Sequence, residues 1–143
     1  MLPFLLAMLS FANGGGVHKE LVTRNGKDFA VAAKPVTVTL AVSRAKTRLA
    51  KAKTIVLELE GVHAKAQPGF LVSVRIGDAE VGRVALYTFA EPQTFAFDAT
   101  EAVKRCGGTV KVRFVPLSPL EGEGVRVASP IRISGVALSI ERP

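Results

Sequence analysis

The sequence predicts an all-β protein: an antiparallel β-sandwich with one short helix. From Pro35 onward, apolar residues recur at alternate positions in one segment after another, the period of a strand buried on one face. These segments are short and are punctuated by Gly, Pro and Asp, as strands joined by turns are. Hydrophobic residues make up 48% and charged residues 22% of 143 residues, enough for one core in one domain. No apolar run reaches the roughly 20 residues that span a bilayer.

The strands follow in order. Val36, Val38, Leu40 and Val42 share one face, opposite Thr37, Thr39 and Ala41. Ile55, Leu57 and Leu59 alternate with Val56, Glu58 and Glu60, and Gly61 weakens the strand's end. Phe70, Val72, Val74 and Ile76 form the next inward row, and Gly77-Asp78 turns the chain into a partner strand from Val81 to Phe89. Thr94 to Phe97, Thr109 to Val115 and Ile131 to Ile140 complete the set. Asp98 followed by Glu101 has the spacing of a capping box, and Gly107-Gly108 can end a helix, so Ala99 to Arg105 is expected as one or two helical turns. In the last strand the inward parity changes from Ile131 and Ile133 to Val136, Leu138 and Ile140, which places a β-bulge at Gly135. Leu57, Leu59, Val72, Val74, Phe97, Val112, Phe114, Ile133 and Leu138 are the expected core.

Two segments precede the sandwich, which is assigned residues 35–143. Residues 1–12, MLPFLLAMLSFA, are an apolar arm or a signal-like segment: Ser10-Phe11-Ala12 has the small-x-small pattern of a cleavage site, but no Lys or Arg precedes the apolar run. A retained arm would dock through Leu2, Phe4, Leu5, Leu9 and Phe11, against another chain, in a groove at a sheet edge, or at a membrane. Residues 13–34 read as a linker with basic residues, opened by Asn13-Gly14-Gly15-Gly16. The compartment follows from the first segment: secreted or periplasmic if it is a signal, cytoplasmic otherwise.

The net charge of +7 is concentrated near the N-terminus. Nine basic residues between Lys19 and Lys53 face only Glu20 and Asp28, while residues 54–143 carry ten charges of each sign. A nucleic-acid surface over the whole domain is therefore disfavoured, and a local basic patch is not. Its core is Arg44, Lys46, Arg48, Lys51 and Lys53, a run without acids. The bland reading is a solvated connector; the functional ones are an acidic protein partner, nucleic acid or a membrane surface. The run holds no aromatic residue on which a base could stack.

Catalytic chemistry finds little support. His18, His63 and Cys106 are too few for a zinc or copper centre built from this chain's own His and Cys. His63 lies in a Pro/Gly-containing loop with no nucleophile motif beside it, and reads as a solvated histidine. Cys106 follows the expected helix, where the C-terminal dipole disfavours a thiolate. Glu58 and Glu60 share a strand face, an ordinary spacing for solvated carboxylates. Gly14 to Gly16 lack the spacing of a phosphate-binding loop. No catalytic, cofactor or metal residue is assigned to this chain.

The ordered set PVTVTL (35–40), IVLELEGV (55–62), QPGFLVSVRIG (67–77), VGRVALYTF (81–89), TFAFDATEAV (94–103), VKVRFVPL (110–117) and IRISGVALSIE (131–141) resembles the C-terminal β-domain that follows the copper domain of bacterial tyrosinases and polyphenol oxidases. The resemblance covers about three quarters of the chain, and order and spacing carry it rather than any single motif. It implies a jelly-roll-like sandwich that packs over a type 3 copper site and restricts entry of phenols. Copper would belong to the partner, because the family's two ions are held by six histidines in a helical bundle. This chain departs from the pattern in its short hairpin around Gly77 to Glu80 and in opening with its own Met and apolar segment, as a separately encoded subunit or a fragment would. The role so implied is that of a non-catalytic accessory or shielding domain, with Tyr87 and Phe89 as plug candidates. The alternatives are a stand-alone secreted or envelope module engaging an anionic surface, and a structural subunit of a larger assembly.

Overall fold

A computed structural model describes residues 18–142. Ten strands run through them: β1 (His18–Asn25), β2 (Phe29–Val31), β3 (Val36–Ala41), β4 (Thr54–Val62), β5 (Leu71–Ile76), β6 (Ala79–Val84), β7 (Gln93–Asp98), β8 (Thr109–Leu117), β9 (Ile131–Ile133) and β10 (Gly135–Arg142). One antiparallel sheet has the order β1-β10-β4-β7, the second has the order β3-β8-β5-β6, and the short β2 and β9 pair with each other. The pairs are nested, β1 with β10, β3 with β8, β4 with β7 and β5 with β6, which is the wiring of a jelly roll.

Antiparallel pairing sorts the connections to two opposite ends. One end, here the loop pole, carries residues 26–28, 32–35, 63–70, 85–92 and 118–130. The other, the helical pole, carries residues 42–53, the Gly77-Asp78 turn and residues 99–108, together with the start of β1 and the end of β10.

The inward rows are those that alternation predicts. Leu57, Leu59, Val72, Val74, Val112, Phe114, Ile133 and Leu138 are all buried. Phe97 corrects the expectation: it is half-buried, because β7 is the outer strand of its sheet. Its ring lies over Gly82 on β6, the outer strand of the other sheet, and a Cβ at Gly82 would stand 2.9 Å from Phe97 Cγ. Phe95 stacks beside Phe97 with centroids 6.5 Å apart. These rings cover the gap between the two open edges.

Residues 13–34 do not form a linker throughout, since their described part supplies β1 and β2. The charged sequence HKELVTRN hides β1 because an outer strand needs few inward groups; Val22 alone of Leu21 and Val22 packs on the core, and Leu21 is 56% exposed. The bulge expected at Gly135 is not there. Gly135 opposite Glu60 and His63 opposite Arg132 belong to one continuous register between the two chains. Both strands change parity together: β4 buries Ile55, Leu57 and Leu59, then Val62. The extra residue is absorbed between β4 and β7, next to Gly61 at φ +60°, and a second irregularity lies on β1 around Val22.

Gly135 has another use. Arg24 on β1 reaches across β10 to Glu60 on β4, donating at 2.9 and 2.6 Å, and a Cβ at Gly135 would sit 2.9 Å from the Glu60 carboxylate. Lys19 reaches Glu58 in the same way at 3.1 Å. The small residues Gly135, Ala137 and Ser139 are buried beneath these bridges, on what is otherwise the outer face of the sheet.

The helix expected at Ala99 to Arg105 is α2 (Thr100–Lys104), but its cap differs from a capping box. Asp98 Oδ1 accepts from the Thr100 amide at 3.0 Å and from its hydroxyl at 2.6 Å, and Thr100 Oγ1 accepts from the Ile55 amide at 2.9 Å. The helix start is thus tied to β4. The basic connector also folds: a 3₁₀ turn at Ser43–Ala45 leads into α1 (Lys46–Lys51), with Ala45, Leu49 and Ala52 buried beneath the charged side chains.

Candidate functional site

At the loop pole, β6 ends at Val84 rather than continuing to Phe89, so Tyr87 and Phe89 belong to a loop. That loop is pinned on both sides of Tyr87. Gln67 Nε2 donates to the Leu86 carbonyl at 3.0 Å, Gln93 Nε2 donates to the Thr88 carbonyl, and the Ala64 amide donates to the Phe89 carbonyl at 2.7 Å. Leu86 is buried and Phe89 is half-buried against the core, whereas Tyr87 between them is 89% exposed. Parity grouped the two aromatic residues; the structure separates them, leaving Tyr87 as the projecting side chain and Phe89 as its footing. Leu120, 58% exposed in the 118–130 loop, shares this pole. It carried no signal in the sequence, because a single leucine in a Pro/Gly/Glu-rich loop belongs to no period.

Opposite lies the basic pole. Arg44, Lys46, Lys51 and Lys53 are exposed, and none has an ion-pair partner among the described residues. Arg48 differs from the other four basic candidates: it pairs with Glu20 on β1. Arg142 at the end of β10 donates to the same carboxylate at 2.6 Å. Because α2 packs beside α1, Lys104 and Arg105 join this surface, both exposed and unpaired among the described residues. Their distance in sequence from the Arg44–Lys53 run kept them out of a patch read from charge spacing.

Glu20 therefore fastens β1, β10 and α1 at one point. The Arg142 and Arg48 hydrogen bonds hold its carboxyl below the usual carboxylate range. A folded-state pKa below the unfolded one stabilises above the unfolded value, and the contribution is lost as pH falls through the folded value. Acidification below about pH 4.5 should therefore loosen α1 and the β1 and β10 ends. Glu20→Gln should flatten this acid dependence in thermal melts; an unchanged pH profile would refute the coupling.

The residues weighed for catalysis are occupied structurally. His63 Nδ1 donates to the Gly61 carbonyl at 2.9 Å, and its backbone pairs with Arg132. Cys106 Sγ donates to the Ala102 carbonyl at 3.4 Å, and burial pushes its thiol pKa up. Glu58 and Glu60 are engaged by Lys19 and Arg24. Among the described residues, no three His, Cys, Asp or Glu side chains are grouped to hold a metal ion. Leu2, Phe4, Leu5, Leu9 and Phe11 lie outside the described residues. No protein-family model matches the chain, and no curated protein matches it.

Proposed function

We propose that this chain is a non-catalytic shielding module that docks by its loop pole over the active-site entrance of a tyrosinase-type type 3 copper oxidase. The observation that carries the reading is Tyr87, an aromatic side chain held outward between anchored neighbours on a rigid sandwich. A tyrosine carried on a loop whose neighbouring residues are already anchored costs little further backbone ordering when it enters a pocket, so the burial of its ring is available for binding. The resemblance of the ordered strand motifs to the β-domain of such oxidases supplies the partner class. Leu120 on the same pole would add apolar contact around the anchor.

The test is to supply the chain in trans to a tyrosinase-type copper domain that lacks its own β-domain, and to follow diphenol oxidation. Turnover of bulky phenols should fall more than that of small ones. Tyr87→Ala should weaken this inhibition about 30-fold, the effect of losing a 2 kcal/mol anchor, while the melting transition stays in place. The copper-loaded chain alone should oxidise no diphenol. Equal inhibition by the Tyr87→Ala variant, no inhibition at all, or turnover by the isolated chain would refute the proposal.

A further inference from the structure

We infer that the helical pole is a docking surface for anionic phospholipid headgroups. Arg44, Lys46, Lys51 and Lys53 on one connection and Lys104 and Arg105 on another share this pole, where α1 packs beside α2. All six are exposed and none has an ion-pair partner among the described residues. The acids of this pole are too few to neutralise them: Glu20 is shared by Arg48 and Arg142, Asp98 is engaged by Thr100, Glu80 by Ser73 and Arg83, and Asp78, Glu101 and Glu141 remain against six cations. The apolar sides of the connector, Ala45, Leu49 and Ala52, are buried in the core, so the charged sides are held outward by the fold.

Two observations favour a lipid surface over other polyanions. No aromatic side chain belongs to the 42–53, 77–78 or 99–108 connections, so there is no platform for base stacking. The apolar residues 1–12 are joined to β1 at this same pole. Residues 13–17 extend at most about 18 Å, so a bilayer that took up the apolar segment would lie within reach of the cations. An apolar segment together with a polybasic surface is the two-part combination that holds a protein stably at a membrane. The inference is independent of the proposed role of Tyr87, which lies at the opposite end.

The experiment is co-sedimentation of the full chain with phosphatidylcholine vesicles, with and without admixed phosphatidylglycerol, at low and high salt. Binding should be stronger to the anionic vesicles, and the difference should vanish at high salt. Each cation near such a surface changes partitioning about fivefold, so Lys46→Glu with Lys51→Glu should lower the anionic component by at least about 25-fold. Lys104→Glu with Arg105→Glu should act in the same direction from the other helix. Tyr87→Ala should leave vesicle binding unchanged, which separates this surface from the shielding role. Equal binding to neutral and anionic vesicles, indifference to both charge reversals in variants that melt normally, or tighter binding to duplex DNA than to anionic vesicles at the same salt would overturn the inference.

Discussion

Replacing Phe114 with alanine should lower the stability of the domain by about 3 to 5 kcal/mol, a large share of what a domain of this size has. Phe114 is wholly buried on β8, the strand between β3 and β5, and sits opposite Val36 on one neighbour and Val74 on the other. Its ring meets Phe29 with centroids 5.0 Å apart at 51°, so it also anchors the β2–β9 pair at the loop pole. The cavity left by alanine could not collapse easily, since the flanking backbones are held in their ladders. The melting temperature followed by circular dichroism should fall by roughly 10 to 20 °C. Phe114→Leu, which keeps most of the volume, should cost far less. A drop of a degree or less for the alanine variant would show that the ring does not support the core.

The second large effect is expected at Gly61. Its φ of +60° is a left-handed conformation that costs an L side chain about 1 to 2 kcal/mol. A Cβ there would also stand 2.8 Å from Ser134 Cβ and closer still to the Ser134 hydroxyl. Gly61→Ala therefore combines backbone strain with a clash against the strand opposite, and should destabilise by roughly 2 to 4 kcal/mol. The two causes can be separated. Ser134→Gly removes the obstructing atoms, so the double variant should recover the clash and keep the backbone cost. Denaturant midpoints of the four proteins in the cycle provide the measurement. If Ser134→Gly gives no recovery, the clash contributes nothing and the backbone conformation alone sets the cost.

Gly61 and Gly135 also mark where sequence reasoning stops. The change of parity from Ile133 to Val136 is visible in the sequence, and one strand considered alone needs an extra residue to explain it. In the sheet the neighbouring strand changes parity at the same level, so their register stays intact and the irregularity moves to the next interface. Nothing local to residues 131–140 could report this. Gly135 is small because Arg24 and Glu60 close over it, a contact between residues more than a hundred and about seventy-five positions away. The first strand was hidden for a related reason: HKELVTRN alternates poorly because an edge position asks for only a partial apolar row.

The candidate surfaces divide along the same line. Tyr87 was legible as an aromatic outside the core rows, and Arg44 to Lys53 as a run of charge without acids. Their opposition at two poles, the pinning of the residues on either side of Tyr87 by Gln67, Gln93 and Ala64, and the recruitment of Lys104 and Arg105 were not. By itself the sequence determined the all-β class, the inward rows and the short helix before Cys106, because one-sided burial writes a two-residue period directly into the chain. Which strands pair, which end each loop joins and which cations stand together were decided by the tertiary structure alone. Those relations arise when strands distant in sequence become neighbours, and their energies come from contacts that no local period records.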